Sequence, residues 1–225
     1  MAIGRVAGQN IGTQGEGVSS LSRTFPSNIT GGNCICVAIT SYGAYSGASS
    51  VADTRSNIYA NPILNYGGGT PKVSIYYALN ITGGSCTVTY TPTSSSDCAL
   101  SIMEYSGVAA SAALDVTATG TGTSAAPATG NLVCTDNDLI FAVMDEYDNR
   151  TITTGTNYTT VYNQNVVFEC MGSEDRILTA TGTYTAIWSL SASTTWSCAA
   201  IALKPAAAGG ADVRNHIIPA YIMMQ

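Results

Sequence analysis

Two stretches decide the fold: CTVTYT, running from Cys86 to Thr91, and TYTAIWSL, from Thr183 to Leu190. In the first, Cys86, Val88 and Tyr90 fall on one side of an extended chain and Thr87, Thr89 and Thr91 on the other. In the second, Tyr184, Ala186, Trp188 and Leu190 share a side. Successive side chains of a strand point to opposite faces, so this period of two marks a sheet with one buried and one wet face.

Outward from these stretches the same signals continue from about Ser20 to Lys204, punctuated by NITGGN, NYGGGTP, NITGGS, TPTSSSD and ATGTGTSAAPATGN. Gly, Asn, Asp, Ser and Pro supply the φ values and side-chain acceptors that turns need. No segment carries a helical apolar stripe with caps. The chain reads as all-β.

A weak internal repeat organises it. NCICVAI (Asn33 to Ile39) resembles NDLIFAV (Asn137 to Val143), and the strands beginning at Cys98 and Cys198 are alike in composition. The reading is two weakly similar halves of about four strands each, joined by the segment Ala118 to Gly130. Together they would build an antiparallel two-sheet sandwich, jelly-roll-like, of about eight strands. Residues 1–19 read as an N-terminal arm, 20–205 as the sandwich, and 206–225 as a linker and apolar tail. The tail carries Ile217, Ile218, Tyr221, Ile222 and Met223, and a frayed end this apolar is expected to dock on a surface.

Composition limits the function. Over 225 residues, 45% are hydrophobic and 10% charged, with a net charge of −6. The eight Lys and Arg are scattered, which speaks against nucleic acid as a partner, since phosphates demand clustered cations. No apolar run reaches the roughly 18 to 20 residues of a membrane-spanning helix. The N-terminal stretch has no secretory apolar core: either a signal was removed ahead of residue 1, or the protein leaves the cell by another route such as lysis within a virion, and the initiator Met favours the second.

The chemistry of catalysis is sparse. His216, the one histidine, lies in the tail, and no GxSxG occurs, so a nucleophile has no base. Carboxylates that a glycosidase could use are Glu104, Glu169, Glu174 and Asp175, with Asp145, Glu146 and Asp148. Glu104 alternates with Leu100 and Ile102 and reads as an inward, hydrogen-bonded residue; Glu174 and Asp175 follow Gly172 and Ser173 and read as an exposed turn. Asp136, Asn137 and Asp138 offer oxygens for calcium but read more simply as a turn. The expectation is no enzyme, no cofactor and no metal.

Sugar binding is the competing function. Among thirteen tyrosines, Tyr42, Tyr45, Tyr59 and Tyr66 sit near turns, whereas Trp188 and Trp196 read as core. Asn28, Asn80, Asn149 and Asn157 begin Asn-x-Ser/Thr patterns that need no glycan in so Thr-rich a chain.

Seven cysteines without metal spacing remain. If Ile35, Val37 and Ile39 face the core, Cys34 and Cys36 point outward, and Cys134 lies beside a polar loop. These three are the candidates for disulfides between chains, while Cys86 is expected to be buried.

The order of motifs resembles a β-sandwich surface domain common in phage and bacterial extracellular proteins. FPSNITGGNCICVAITSYG (Phe25 to Gly43), VADTRSNIY (Val51 to Tyr59), YYALNITGGSCTVTYT (Tyr76 to Thr91), LSIMEYSGV (Leu100 to Val108), EDRILTATGTYTAIWSL (Glu174 to Leu190) and AIALKP (Ala200 to Pro205) carry it. Its departure from that pattern is the thiols, since positions such as Cys34, Cys36 and Cys98 are ordinarily aliphatic or small there. The resemblance implies surface presentation and, with these thiols, a phage virion structural protein of capsid-decoration, collar or fibre type. Its partners would be copies of itself and major capsid or neck subunits, in a particle assembled in the host cytoplasm. The alternative is a carbohydrate-binding or adhesion module.

Overall fold

The computed structural model describes residues 2–42, 49–67, 71–166 and 169–207. The first half supplies β1 (Gly4–Val18), β2 (Leu21–Thr24), β3 (Cys34–Tyr42), β4 (Ser50–Asp53), β5 (Tyr59–Tyr66), β6 (Lys72–Ala78), β7 (Thr87–Thr91) and β8 (Ser96–Ser106). The second supplies β9 (Leu114–Ser124), β10 (Leu132–Cys134), β11 (Leu139–Glu146), β12 (Ile152–Thr154), β13 (Thr159–Val166), β14 (Glu169–Ile177), β15 (Gly182–Tyr184), β16 (Trp188–Leu190) and β17 (Thr194–Leu203). All pairings between them are antiparallel.

The halves repeat one topology. One five-stranded sheet has the order β1-β8-β3-β6-β5, and the other β9-β17-β11-β14-β13, so each strand of the first has a counterpart in the second. A three-stranded sheet, β2-β7-β4, covers the first; two short ribbons, β10-β15 and β12-β16, cover the second. The arrangement is four layers, with the two five-stranded sheets back to back in the middle.

This differs from the expected two-sheet, eight-stranded jelly roll. The described residues hold 17 strands in five sheets. Each half covers one apolar face by itself and needs the other half for its second face. Three cores result. The inner one joins the large sheets through Cys36, Ala38, Val73 and Met103 on one side and Phe141, Val143, Met171 and Ile201 on the other. The outer cores lie under the covers, around Ile35, Val37, Val88 and Tyr90 in the first half and Ile140, Ala142, Trp188 and Leu190 in the second. The alternation that opened the sequence reading holds here: Cys86, Val88 and Tyr90 face one outer core, Ala186, Trp188 and Leu190 the other, with Tyr184 packed on its edge.

The large sheets meet as a two-fold pair. Strand β1 lies against β13 and β5 against β9; β6 against β17 and β8 against β14; β3 against β11. Exchange of the halves maps each contact onto another in the set, the signature of an isologous interface. The register of the repeat follows from the hydrogen bonds. Asn33 O accepts from Ile81 N at 3.1 Å, and Asp138 O from Leu178 N at 2.9 Å. Asn33 thus corresponds to Asp138, Cys36 to Phe141 and Tyr42 to Tyr147. The match of Asn33 with Asn137 read from sequence is one residue off, and a one-residue slip would turn the inner face outward.

The segment read as an arm and the one read as a connection both contain strand. Residues 1–19 contain β1, which pairs along β8 from Gly4↔Ser106 to Val18↔Ser96 with two register shifts. The Gly/Thr-rich stretch from Ala118 continues β9 as far as Ser124, paired with β17. Its glycines answer to crowding: a Cβ on Gly120 would stand 2.2 Å from Ala128 O, and one on Gly122 would stand 2.7 Å from the Trp196 ring. Turn chemistry accounts for three of the Asn-x-Ser/Thr patterns, because Asn80 (φ 50°), Asn149 (φ 56°) and Asn157 (φ 69°) occupy the left-handed region that Asn tolerates.

Candidate functional site

The carboxylates are turned inward. Glu104 is fully buried; its Oε1 accepts from Thr30 N (2.7 Å) and Asn33 Nδ2 (2.7 Å), and its Oε2 from Gln9 Nε2 (3.1 Å). It ties β1 and the β2–β3 connection to β8, as its alternation suggested.

Glu174 and Asp175, expected in an exposed turn, sit within β14 and are buried. The reason is that β14 is an inner strand flanked by β11 and β13, with a covered layer on each face. Glu174 Oε2 accepts from Gly155 N at 2.9 Å, and burial pushes its carboxyl up to about 8, helped by the neighbouring Asp175 charge. Asp175 points into the inner core, where Arg5 Nε lies 3.3 Å from Oδ2 and Tyr105 donates to the same oxygen. Burial raises its pKa, against the hydrogen bond from Tyr105 and the charge of Arg5. These three residues come from β14, β1 and β8, so the contact spans both halves.

At the opposite end of the inner core are Asp145 of β11 and Glu169 of β14, both buried. Burial, then each one's acidic surroundings, raises both: Glu169 to about 8 and Asp145 well above the usual carboxylate range. Lys72 N donates to Asp145 at 3.1 Å. Glu146 accepts from the backbone of Asp148 and Arg150, fixing the turn after β11. Asp145, Glu146 and Glu169 are all buried, and the bonds of Asp145 and Glu146 satisfy backbone N–H groups.

Asp136 forms the expected turn bond, accepting from Asn137 N at 2.7 Å. Asp138 is buried instead, pushed up to about 7 by burial and by Asp115. Against its own partial burial, Asp115 is lowered to about 2 by hydrogen bonds from Thr135, with Lys204 Nζ at 3.1 Å. Among the described residues no group of three or more His, Cys, Asp or Glu is placed to hold a metal.

The cysteines correct the sequence reading. Cys34, Cys36 and Cys134, expected outward, are 1%, 0% and 2% exposed; none of the seven cysteines is in a disulfide, and all are buried. Ile35, Val37 and Ile39 do face a core, yet Cys34 and Cys36 face another, because β3 is covered on both sides. Their sulfurs lie 4.0 Å apart. Burial raises the Cys36 thiol well above its usual value and pushes Cys134 up to about 12. Crosslinks between chains need thiols at the surface, and these lie beneath it. Cys86 is buried as expected.

Two surface features stand out among the described residues. At the end where β3 and β11 finish, Tyr42 and Tyr147 stand ring to ring, with centroids 5.9 Å apart and planes at 37°. Their hydroxyl oxygens are 3.3 Å apart, and the residues are 44% and 52% exposed. Of the tyrosines read as possible sugar platforms, Tyr42 is thus displayed. Tyr59 is half-buried and donates to Asp53 at 2.8 Å, and Tyr66 is half-buried against the inner core. Tyr45 lies outside the described residues. Tyr147 escaped the sequence reading because only the two-fold brings it to Tyr42. Trp188 and Trp196 are core, as read.

At the other end, a cavity of about 660 Å³ is walled by Ala2, Ile3, Asn137, Ile177, Pro205 and Ala207. Ile177 is 36% exposed there. The described chain ends at Ala207 in this wall, so residues 208–225 start from it; Ile217, Ile218, Tyr221, Ile222, Met223 and His216 lie outside the described residues.

Comparison of the chain with family models, curated proteins and solved structures finds no match.

Proposed function

We propose that this protein is a non-enzymatic structural subunit of a phage virion, of the capsid-decoration, minor capsid or collar type, that stabilises the particle through subunit contacts. One observation supports the reading: of the candidate acids, Glu104, Asp145, Glu146, Glu169, Glu174 and Asp175 are buried in or beside sheet cores, and Asp148 is exposed in the turn after β11. The resemblance to phage and bacterial surface domains points the same way. The buried thiols have no part in this reading.

Attachment falls to the tail. It starts at the wall of an open, largely apolar cavity, and its Ile217, Ile218, Tyr221, Ile222 and Met223 supply apolar surface suited to a neighbouring subunit, either a copy of this chain or a capsid or neck protein. The test is a chain ending at Ala207. It should keep the thermal unfolding of the full chain and lose incorporation into particles; undiminished incorporation would refute the attachment role.

A second reading, a glycan-binding or adhesion module, is favoured by one feature, the displayed Tyr42–Tyr147 pair. Saturable glycan binding by the isolated monomer, abolished by Tyr147→Ala, would reverse the order of the two.

A further inference from the structure

We infer that Tyr42 and Tyr147 form a site of oxidative modification, an intramolecular dityrosine bond that ties the two halves together under one-electron oxidation by a haem peroxidase with hydrogen peroxide. The inference rests on the geometry of the pair and stands apart from the proposed function.

The two phenols are accessible to an outside oxidant, at 44% and 52% exposure. They are also held together: the rings are 5.9 Å apart and the oxygens 3.3 Å. A carbon ortho to each hydroxyl is two bonds from an oxygen already touching its partner, so modest side-chain rotation brings the ortho carbons into bonding range. Prior placement of two reactants replaces a bimolecular encounter with an intramolecular one, which favours coupling within the chain over coupling between chains.

Several other described tyrosines are engaged elsewhere. Tyr59, Tyr76 and Tyr105 hydrogen-bond Asp53, Ser49 and Asp175, and Tyr158 and Tyr184 face the Arg176 guanidinium.

Each phenol gives up one electron and one proton, and together these reduce one hydrogen peroxide to two waters. The two tyrosyl radicals join through one new carbon–carbon bond between ortho positions. Each ortho hydrogen then moves as a proton to the oxygen of its own ring, restoring two phenols in a product two hydrogens lighter. The bond links the end of β3 to the turn after β11, across the two-fold relation. No disulfide serves that purpose among the described residues.

The test treats the folded full-length chain at low concentration with haem peroxidase and limiting peroxide, then measures intact mass, dityrosine fluorescence and the crosslinked peptides. The expected product is a single chain two hydrogens lighter, with fragment spectra joining Tyr42 to Tyr147. The link should persist in Tyr45→Phe and vanish in Tyr42→Phe and Tyr147→Phe. An equal mixture of isotope-labelled and unlabelled chains should give no mixed link. Crosslinks confined to other tyrosines, mixed-isotope links between Tyr42 and Tyr147, or no dityrosine where the unfolded chain forms it, would each overturn the inference.

Discussion

Glu104 has three donors around its carboxylate, from Gln9, Thr30 and Asn33, and no water-exposed surface. Removing the acceptor strands buried donors, which costs more than the net worth of the bonds. Glu104→Ala is therefore expected to lower unfolding free energy by about 3 kcal/mol, measured by urea denaturation. A fully stable variant would show that the carboxylate is not part of the framework. Glu174 makes a prediction in pH. Its folded value of about 8 lies above the ordinary glutamate value, so the folded state favours the protonated form. That contribution is fully present below the unfolded pKa and is lost as pH rises from there through about 8. Glu169, also raised to about 8, acts in the same direction. Stability is expected to fall as pH rises from about 5 to about 8. Glu174→Gln should flatten that fall in denaturant midpoints; an unchanged slope would remove Glu174 as a cause.

At the scale of the element, β3 and β11 carry the main lesson. In β3, Cys34 to Ser41 are all buried, and in β11 every residue from Leu139 to Glu146 is. In such a strand the residue face cannot be read from apolar character, because both faces are apolar; Ile35 and Cys36 differ only in which core they enter. The cover strands differ. In β7, Val88 and Tyr90 are buried while Thr87, Thr89 and Thr91 meet water or its margin, so their alternation was legible. The burial of the thiols has a direct consequence. The native chain should resist alkylation at Cys34, Cys36 and Cys134, and all seven cysteines should react once it is unfolded without reductant. Fewer than seven reactive thiols would reveal disulfides after all. The inner core can be probed through Phe141, fully buried and edge-on to Tyr105 at 6.3 Å. Phe141→Ala is expected to cost about 3–5 kcal/mol in chemical denaturation.

Across the whole molecule, the two halves share their inner core as an isologous pair, and the Arg5–Asp175–Tyr105 contact bridges them. Neither half can lose its fold without exposing the inner face of the other. Heat unfolding is therefore expected to be a single transition, with calorimetric and van't Hoff enthalpies equal, and Phe141→Ala should move that one transition. Two separable transitions would mean that the inner core couples the halves weakly.

Local sequence sufficed for the strand class, the turns, the weak duplication and the inward place of Glu104, Trp188 and Trp196. Each of these depends on neighbours along the chain or on an alternation with one wet side. The stacking of the sheets settles that each half has its own cover, that Cys34, Cys36, Glu174 and Asp175 lie inside, and that Tyr42 meets Tyr147. Those facts depend on which sheet faces which, and a strand's composition does not encode the layer placed against its second face. Stacking the large sheets turned what would be the outer side of one sandwich into the middle of two.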